Sequence, residues 1–194
     1  MPPNPAAFLR HLEARIRLQG PLSVAAYMRE VLTNPLAGYY MHRDVFGSKG
    51  DFVTSPEISQ MFGEMVGVWA VSTWHHLGKP SRFSLAELGP GRGTLTMDVL
   101  RVHDLCQKHS SHLPPPPKKK QTTRQFKDFH KALKGIQLVE VSPALTQIQK
   151  TLLCRGPSDS VTPDGKPVHW FPHIAELPTE DPGIKRGPNA RHSD

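Results

Sequence analysis

The sequence contains little cysteine and no long apolar segment. Its 194 residues include only two cysteines, Cys106 and Cys154, and these are too far apart for a C-x-x-C motif. This spacing, with apolar residues around each, indicates reduced, buried thiols in an intracellular protein and no disulfide framework. No apolar run approaches the roughly 18 residues of a membrane-spanning helix, so we expect no transmembrane segment.

Three kinds of ligand site are disfavoured by missing patterns. The histidines have no i, i+4 pairing with an acid on one helix, which predicts that the chain has no metal site. The glycine-rich stretch at residues 89–93 is not followed by the Gly-Lys-Ser/Thr of a phosphate-binding loop. Thr94 stands where a dinucleotide fingerprint requires its third small residue, so a nicotinamide cofactor is less favoured.

The composition is that of a globular chain with an unfolded, proline-rich part. Hydrophobic residues make up 37% and charged residues 21%, and there are 20 prolines. The net charge of +7 is concentrated in residues 118–134 and in the C-terminal tail. A solvated charge run is therefore favoured over a nucleic-acid-binding surface, and a basic nucleic-acid-binding protein is kept as an alternative.

The chain is organised around a strand that runs into a glycine-rich loop and then a helix. Leu85, Ala86 and Leu88 suit a buried parallel strand, and apolar residues recur at helical spacing from Thr94 onward. The three glycines of the loop remove side chains where the backbone must turn tightly and touch a ligand: Gly89, Gly91 and Gly93. The stretch therefore predicts a cofactor loop, with a plain strand-to-helix turn as the alternative.

A second strand is predicted at residues 136–141, with Glu140 near its end. An acid there suits the ribose of a nucleotide-like cofactor, although the usual offset from the loop is about 20 residues and here it is roughly twice that. The difference indicates an insertion at 109–135, whose prolines and lysines predict an extended, solvated segment. We expect that deleting residues 110–134 leaves the fold intact.

Helices are predicted before the loop. Asn4-Pro5 begins the first, whose basic face makes a mitochondrial presequence an alternative that Glu13 disfavours, and Ser23 caps the second. A third is predicted with Ser55 as its cap, and hydroxyls and amides at this end, including those of Thr54, could face a cofactor carboxylate. Its periodicity predicts a buried apolar face made of Ile58, Met61, Phe62, Met65 and Trp69.

Several separated motifs, in order, resemble the MidA family of protein arginine methyltransferases. They are GDFVTSPEISQ at 50–60, FGE at 62–64, ELGPGRGTL at 87–95 and LVEVS at 138–142, preceded by LTNP at 32–35 and GYY at 38–40. The resemblance covers about residues 8–178. It implies an α/β, class I methyltransferase-like (Rossmann-like) doubly wound sheet with an N-terminal helical segment. It also implies S-adenosylmethionine as cofactor, and a complex I subunit as protein substrate during complex I assembly in the mitochondrial matrix.

The resemblance also implies roles for individual residues. The glycines would allow close approach of the cofactor, Glu87 would hold its amino end and Glu140 its ribose. Glu57 and Glu64 are candidates for holding the substrate guanidinium, because a guanidinium needs carboxylate partners. The full predicted set of cofactor-binding residues is Thr54, Ser55, Glu87, Gly89, Gly91, Gly93, Thr94 and Glu140.

We predict three segments. Residues 1–78 form an N-terminal helical segment, residues 79–178 a partial S-adenosylmethionine-binding domain, and residues 179–194 a divergent, disordered tail. Because the resemblance stops near Pro178, we expect an incomplete sheet with weak or no cofactor binding and no turnover. A catalytically inactive, truncated isoform that keeps only partner-binding elements is therefore an alternative function.

Overall fold

The computed structural model describes residues 2–108 and 126–178, which form helices around a small parallel sheet. The three strands lie in the order β1-β2-β3. This arrangement confirms the predicted α/β class. The elements are α1 (Pro5–Gln19), α2 (Val24–Thr33), α3 (Ser55–Ile58), α4 (Gln60–His76), β1 (Phe83–Leu88), α5 (Thr94–Lys108), β2 (Leu133–Val139), α6 (Pro143–Leu153) and β3 (Val168–Phe171), followed by a 3-10 turn (Ile174–Glu176).

The sheet brings the carboxyl ends of its strands to one edge. Leu88 pairs with Val139, and Val139 with Phe171, in parallel register. Two hydrogen bonds continue the register past the strands, from Gly89 N to Val139 O (3.0 Å) and from Glu140 N to Phe171 O (2.9 Å). The glycine loop and the predicted ribose acid therefore lie side by side at this edge, where ligands bind in open α/β sheets.

The centre of the sheet is the apolar core that fixes this edge. Ile136 and Leu138 of β2 are fully buried, and Val168 of β3 and Leu153 of α6 pack with them. Cys154 belongs to the same cluster as a free thiol, as predicted, whereas the side chain of Cys106 lies outside the described part. Burial of each of these Ile, Leu and Val side chains contributes about 1.5–3 kcal/mol to the free energy of folding, which stabilises β2 in the centre of the sheet.

The predicted solvated insertion is wrong at its carboxyl end. Residues 126–132 are helical, and β2 starts at Leu133, before the predicted start at 136. Phe126 and Phe129 are each 8% exposed and pack on Val71 and Trp74 of α4. Aromatic side chains spaced i, i+3 therefore outweigh the charged Lys127 and Asp128 between them, and deletion of 110–134 would remove part of the core. Residues 109–125 lie outside the described part.

The helix predicted from Ser55 onward is two helices. Thr54, not Ser55, is the N-cap residue of α3. Ser59 is extended and separates the two helices, and its hydroxyl caps α4 by accepting a hydrogen bond from Met61 N at 3.2 Å. The predicted buried face is also wrong. All five of its residues are exposed, from 44% to 73%: Ile58, Met61, Phe62, Met65 and Trp69.

The buried face of α4 carries glycines in its first half and larger apolar residues in its second half. Gly63, Gly67, Val71 and Trp74 are its buried positions. A β-carbon at position 63 would stand 2.4 Å from Asp98 Cβ, so α4 and α5 approach each other where there is no side chain. Small residues decide this contact, and a stripe of large ones is left on the surface.

Strand β1 is less buried than predicted. Leu88 is 58% exposed and Ala86 is exposed too, because β1 pairs with β2 on one side and with no other strand among the described residues. The first two helices are confirmed, with Asn4 and Ser23 accepting from Ala7 N and Ala26 N at their starts. Across the described ranges, no helix has both the length and the apolarity to span a membrane.

Candidate functional site

The glycine loop adopts a backbone that favours glycine. Gly89, Gly91 and Gly93 have φ values of 66°, 57° and 86°. A side chain in this region costs about 1–2 kcal/mol. A β-carbon at 89 would meet no atom within 4 Å, and the atoms nearest to one at 91 would be ring carbons of Phe46, at 3.6–3.9 Å. These two positions leave the backbone open to a ligand.

Gly93 differs from the other two glycines. A β-carbon there would lie 3.3 Å from Leu153 Cδ1 and 3.4 Å from Gln149 Cγ, both on α6. Tight packing of the loop against α6 therefore explains Gly93, which lines neither of the cavities beside the loop.

Two cavities flank the open glycines. The one we call the Glu140 cavity has a volume of about 290 Å³ and is lined by Tyr40, Val139, Glu140 and Leu145 among others. The one we call the Glu87 cavity has a volume of about 170 Å³, and its lining includes Thr54, Glu57, Glu87 and Thr94. Phe46, Gly89 and Gly91 line both cavities, which therefore meet along the loop.

Glu140 is oriented by its neighbours at the end of β2. Its Oε1 accepts from Ser142 N at 2.8 Å, and its Oε2 accepts from Gln149 Nε2 at 3.1 Å. Burial raises the pKa of the Glu140 carboxyl, and these hydrogen bonds oppose the shift. A fixed carboxylate at this place can accept further hydrogen bonds from ligand hydroxyls.

Sequence reasoning missed Gln149, which connects three parts of the site. This side chain is fully buried, and its Nε2 donates to Gly91 O (2.7 Å) as well as to Glu140. Its Oε1 accepts from Trp170 Nε1 at 2.8 Å. Gln149 lies between Leu145 and Leu153 on the buried face of α6. A lone amide on an otherwise apolar helix face was the signal available in the sequence, because buried amides need partners.

Glu87 lies on the other side of the loop. Its Oε2 accepts a hydrogen bond from Thr96, and burial raises the pKa of the Glu87 carboxyl above the usual 4.5. Thr96 is 1% exposed, so Glu87 is held by a hydrogen bond from the protein interior, and Glu87 itself lines the Glu87 cavity.

The remaining predicted residues separate into two groups. Thr54 lines the Glu87 cavity and makes no side-chain capping bond, whereas Ser55 lines neither cavity. Thr94 lines the Glu87 cavity, but its hydroxyl donates to Glu57 Oε1 at 2.6 Å. Thr94 is therefore a residue that also fixes the loop.

Glu57 and Arg92 join the glycine loop to the segment before α4. Arg92 Nη1 donates to Glu57 Oε2 at 3.0 Å, and its Nε lies 3.1 Å from Asp44 Oδ2 in an ion pair that is not aligned as a hydrogen bond. Both oxygens of Glu57 thus have partners within the protein. Glu64 lies one turn into α4, where Gln60 Nε2 donates to its Oε1 at 2.6 Å.

Comparison with known proteins finds methyltransferases that are similar to this chain. Residues 65–113 match the model of a family described as S-adenosyl-L-methionine-dependent methyltransferase. The chain is 44% identical over 188 residues to the mitochondrial protein arginine methyltransferase NDUFAF7 of Xenopus laevis, covering 89% of this chain and 38% of that protein. The human protein of the same name is 41% identical, with 90% and 38% covered. The chain is a relative of these methyltransferases.

The relatives are much longer than this chain, which spans about 38% of the length of the Xenopus laevis and human proteins.

The fold agrees with the sequence comparison. A solved structure from Burkholderia thailandensis, bound to S-adenosyl-homocysteine, matches with a TM-score of 0.57 at 23% identity and covers 86% of this chain and 37% of its own. These findings confirm the resemblance to protein arginine methyltransferases and the methyltransferase fold, and the matching family model is described by its use of S-adenosyl-L-methionine.

Proposed function

We propose that this chain binds S-adenosylmethionine, despite the incomplete sheet that predicts weak or no binding, and that it serves protein arginine methylation of a complex I subunit in the mitochondrial matrix, during complex I assembly. The observation that carries the proposal is the open backbone at Gly89 and Gly91 between two cavities, each with its own partly buried acid. The names of the relatives support arginine as the acceptor and the mitochondrion as the location. The complex I subunit and the matrix rest on the MidA resemblance.

The residues present fit this cofactor. The ribose hydroxyls would donate to Glu140, whose carboxylate is held by Ser142 N and Gln149. The amino end would pair with Glu87, and Thr54 would contact the same end of the cofactor. Gly89 has no protein atom within 4 Å of its β-position, which leaves the space that a ligand against the backbone needs.

The proposed assignment keeps Gly91 and Thr94 as cofactor residues and gives Gly93 and Ser55 supporting roles. Gly93 packs on α6, and Ser55 lies within the first turn of α3. The segment boundaries at 78 and 178 stay predictions.

The chemistry requires orientation more than protein acid or base strength. Bound S-adenosylmethionine supplies a methyl group on a positively charged sulfur, which is already an activated electrophile. The protein has to hold the guanidinium nitrogen in line and exclude water. Of the two acids predicted to hold the guanidinium, Glu57 has both oxygens engaged, by Arg92 and Thr94, whereas Glu64 has its Oε1 engaged by Gln60, so we propose Glu64 for this role.

Titration of the chain with S-adenosylmethionine and S-adenosyl-homocysteine tests the proposal. Glu140→Ala should weaken binding of both by roughly 1–3 kcal/mol, the range for hydrogen bonds to a charged group. Glu13→Ala, at an exposed position of α1, is the matched control. Because Glu140 also holds Ser142 N and Gln149, binding is compared at a temperature where both variants are fully folded.

Two results would contradict the proposal. Equal affinity of wild type and Glu140→Ala would remove the ribose role, and no binding of either ligand would favour the partner-binding alternative. Transfer of labelled methyl groups to arginine in a complex I subunit tests the substrate assignment, with the longer Xenopus laevis relative as the positive control.

A further inference from the structure

Phe46 lies where the two cavities meet. Its ring lines both of them, together with Gly89 and Gly91, whereas Tyr40 lines the Glu140 cavity and not the Glu87 cavity. Three ring carbons of Phe46 stand 3.6–3.9 Å from the β-position of Gly91. Any ligand that extends from one cavity to the other along the open glycines therefore passes this ring.

The cofactor has a positive charge at the corresponding place in its covalent structure. Its sulfur joins the ribose to the amino-acid part. A ribose at Glu140 and an amino end at Glu87 therefore leave the sulfur between the two acids, at the residues that both cavities share. Aromatic rings attract cations held near them through the ring quadrupole, and more strongly where water is excluded.

We propose that Phe46 recognises the sulfonium of S-adenosylmethionine and makes the site prefer this charged ligand over neutral S-adenosyl-homocysteine. The inference rests on the proposed function and adds to it a residue that determines specificity. Discrimination of this kind would help the demethylated product to leave after each transfer, because the product lacks the charge that the ring attracts.

The position of Phe46 is set by its neighbours. Its ring stacks on the ring of Tyr40 with a centroid distance of 6.1 Å and an interplanar angle of 12°. The ring of Phe52 is tilted by 43° to that of Phe46, with the two centroids 6.3 Å apart. The backbone around it is fixed by Phe46 N donating to Asp44 Oδ1 at 3.0 Å and by Gly47 N donating to Phe52 O at 2.9 Å. A ring held in this way is in place before the ligand arrives.

Calorimetric titration of the 194-residue chain with both ligands tests the proposal. Phe46→Leu keeps an apolar side chain without a ring, and it should weaken binding of S-adenosylmethionine about 3- to 30-fold while changing binding of S-adenosyl-homocysteine less than about 2-fold. Phe46→Tyr keeps the ring and should keep the wild-type affinity ratio. Val141→Ala, at a residue that lines the Glu140 cavity alone, should change the affinities for both ligands by the same factor.

A second variant covers the case in which Phe46→Leu does not fold. Replacement of Phe46 by pentafluorophenylalanine keeps the shape of the ring and reverses its quadrupole, so it should lower the affinity ratio without changing the melting temperature. Equal losses for the two ligands in this variant would overturn the role of Phe46 and leave the proposed function standing. Failure of the wild-type chain to bind either ligand would overturn the proposed function and this inference with it.

Discussion

Gly91 and Gly78 share a left-handed backbone but differ in what surrounds them. Their φ values are 57° and 81°, and Gly78 lies in the turn after α4, away from both cavities. We expect Gly91→Val and Gly78→Val each to lower the free energy of unfolding by about 1–2 kcal/mol, because both introduce a β-carbon at positive φ. Only Gly91→Val should also abolish cofactor binding in a calorimetric titration. Loss of binding in both variants would mean that strain, and not contact with the ligand, is responsible.

The acid Glu87 should make stability depend on pH. Burial raises its pKa in the folded protein above the usual 4.5, so the folded state binds this proton more tightly than the unfolded state does. Its contribution to stability is then complete below pH 4.5 and is lost as the pH rises through the raised pKa. Glu87→Gln should therefore be more stable than wild type at pH 7 and show no such advantage at pH 4.

Denaturant unfolding between pH 4 and pH 8 measures this difference. Glu140 and Asp98 also have pKa values raised by burial, but they are common to both proteins and cancel in the comparison. Glu13→Gln serves as an exposed control. A constant difference between wild type and Glu87→Gln across the pH range would rule out titration of Glu87 as its cause.

Helix α6 positions the site through one buried amide. Gln149→Leu would leave the partly buried Gly91 O and Trp170 Nε1 without their partner, at a cost of up to about 1–3 kcal/mol for each group. Cofactor affinity should fall as well, because Glu140 loses a hydrogen bond that orients it. Gln147→Leu, at an exposed position of the same helix, should change neither the melting temperature nor the affinity. An unaltered affinity in Gln149→Leu would limit Gln149 to a structural role.

The helix at residues 126–132 allows a second test at the level of a secondary-structure element. Phe129 contacts Trp74 and Phe83, with ring centroids 5.8 Å and 4.8 Å away. Phe129→Ala should destabilise the protein by about 3–5 kcal/mol, as for other buried aromatic truncations. Lys131→Ala, exposed on the same segment, should leave the melting temperature within about a degree of wild type. A small effect of Phe129→Ala would restore the prediction of a solvated insertion.

Prediction from sequence succeeded where local pattern and fold agree. The glycine loop, the caps at Asn4 and Ser23 and the position of Glu140 after β2 follow from short-range rules. It failed for α4, because periodicity gives the apolar face of a helix and not the face that another helix approaches. There Gly63 and Asp98 decide the contact, and two residues so far apart in sequence form no recognisable pattern.

The surface of the molecule includes a solvent-exposed apolar stripe on α4. Met65 is 60% exposed and Trp69 66%, and patches of this kind promote association. Trp69→Lys should reduce aggregation in light scattering and change the free energy of unfolding by less than about 0.5 kcal/mol. Trp74→Lys, at a position 6% exposed on the same helix, should instead prevent folding, because it buries a charge. Unchanged aggregation in Trp69→Lys would mean that a surface other than the apolar stripe of α4 is responsible for association.

The hydroxyl of Ser142 donates to the carbonyl of Tyr40, and 102 residues separate the two in sequence. This contact joins the segment carrying Phe46 to the end of β2 that carries Glu140. Closing so large a loop has an entropic cost that local helices and turns do not have, and contacts of high sequence separation slow folding. The strand, loop and helix at 83–108 can form early from neighbouring residues. We therefore expect the ligand site to be completed last during folding, so a ligand added to a refolding chain should be bound only in the final kinetic phase.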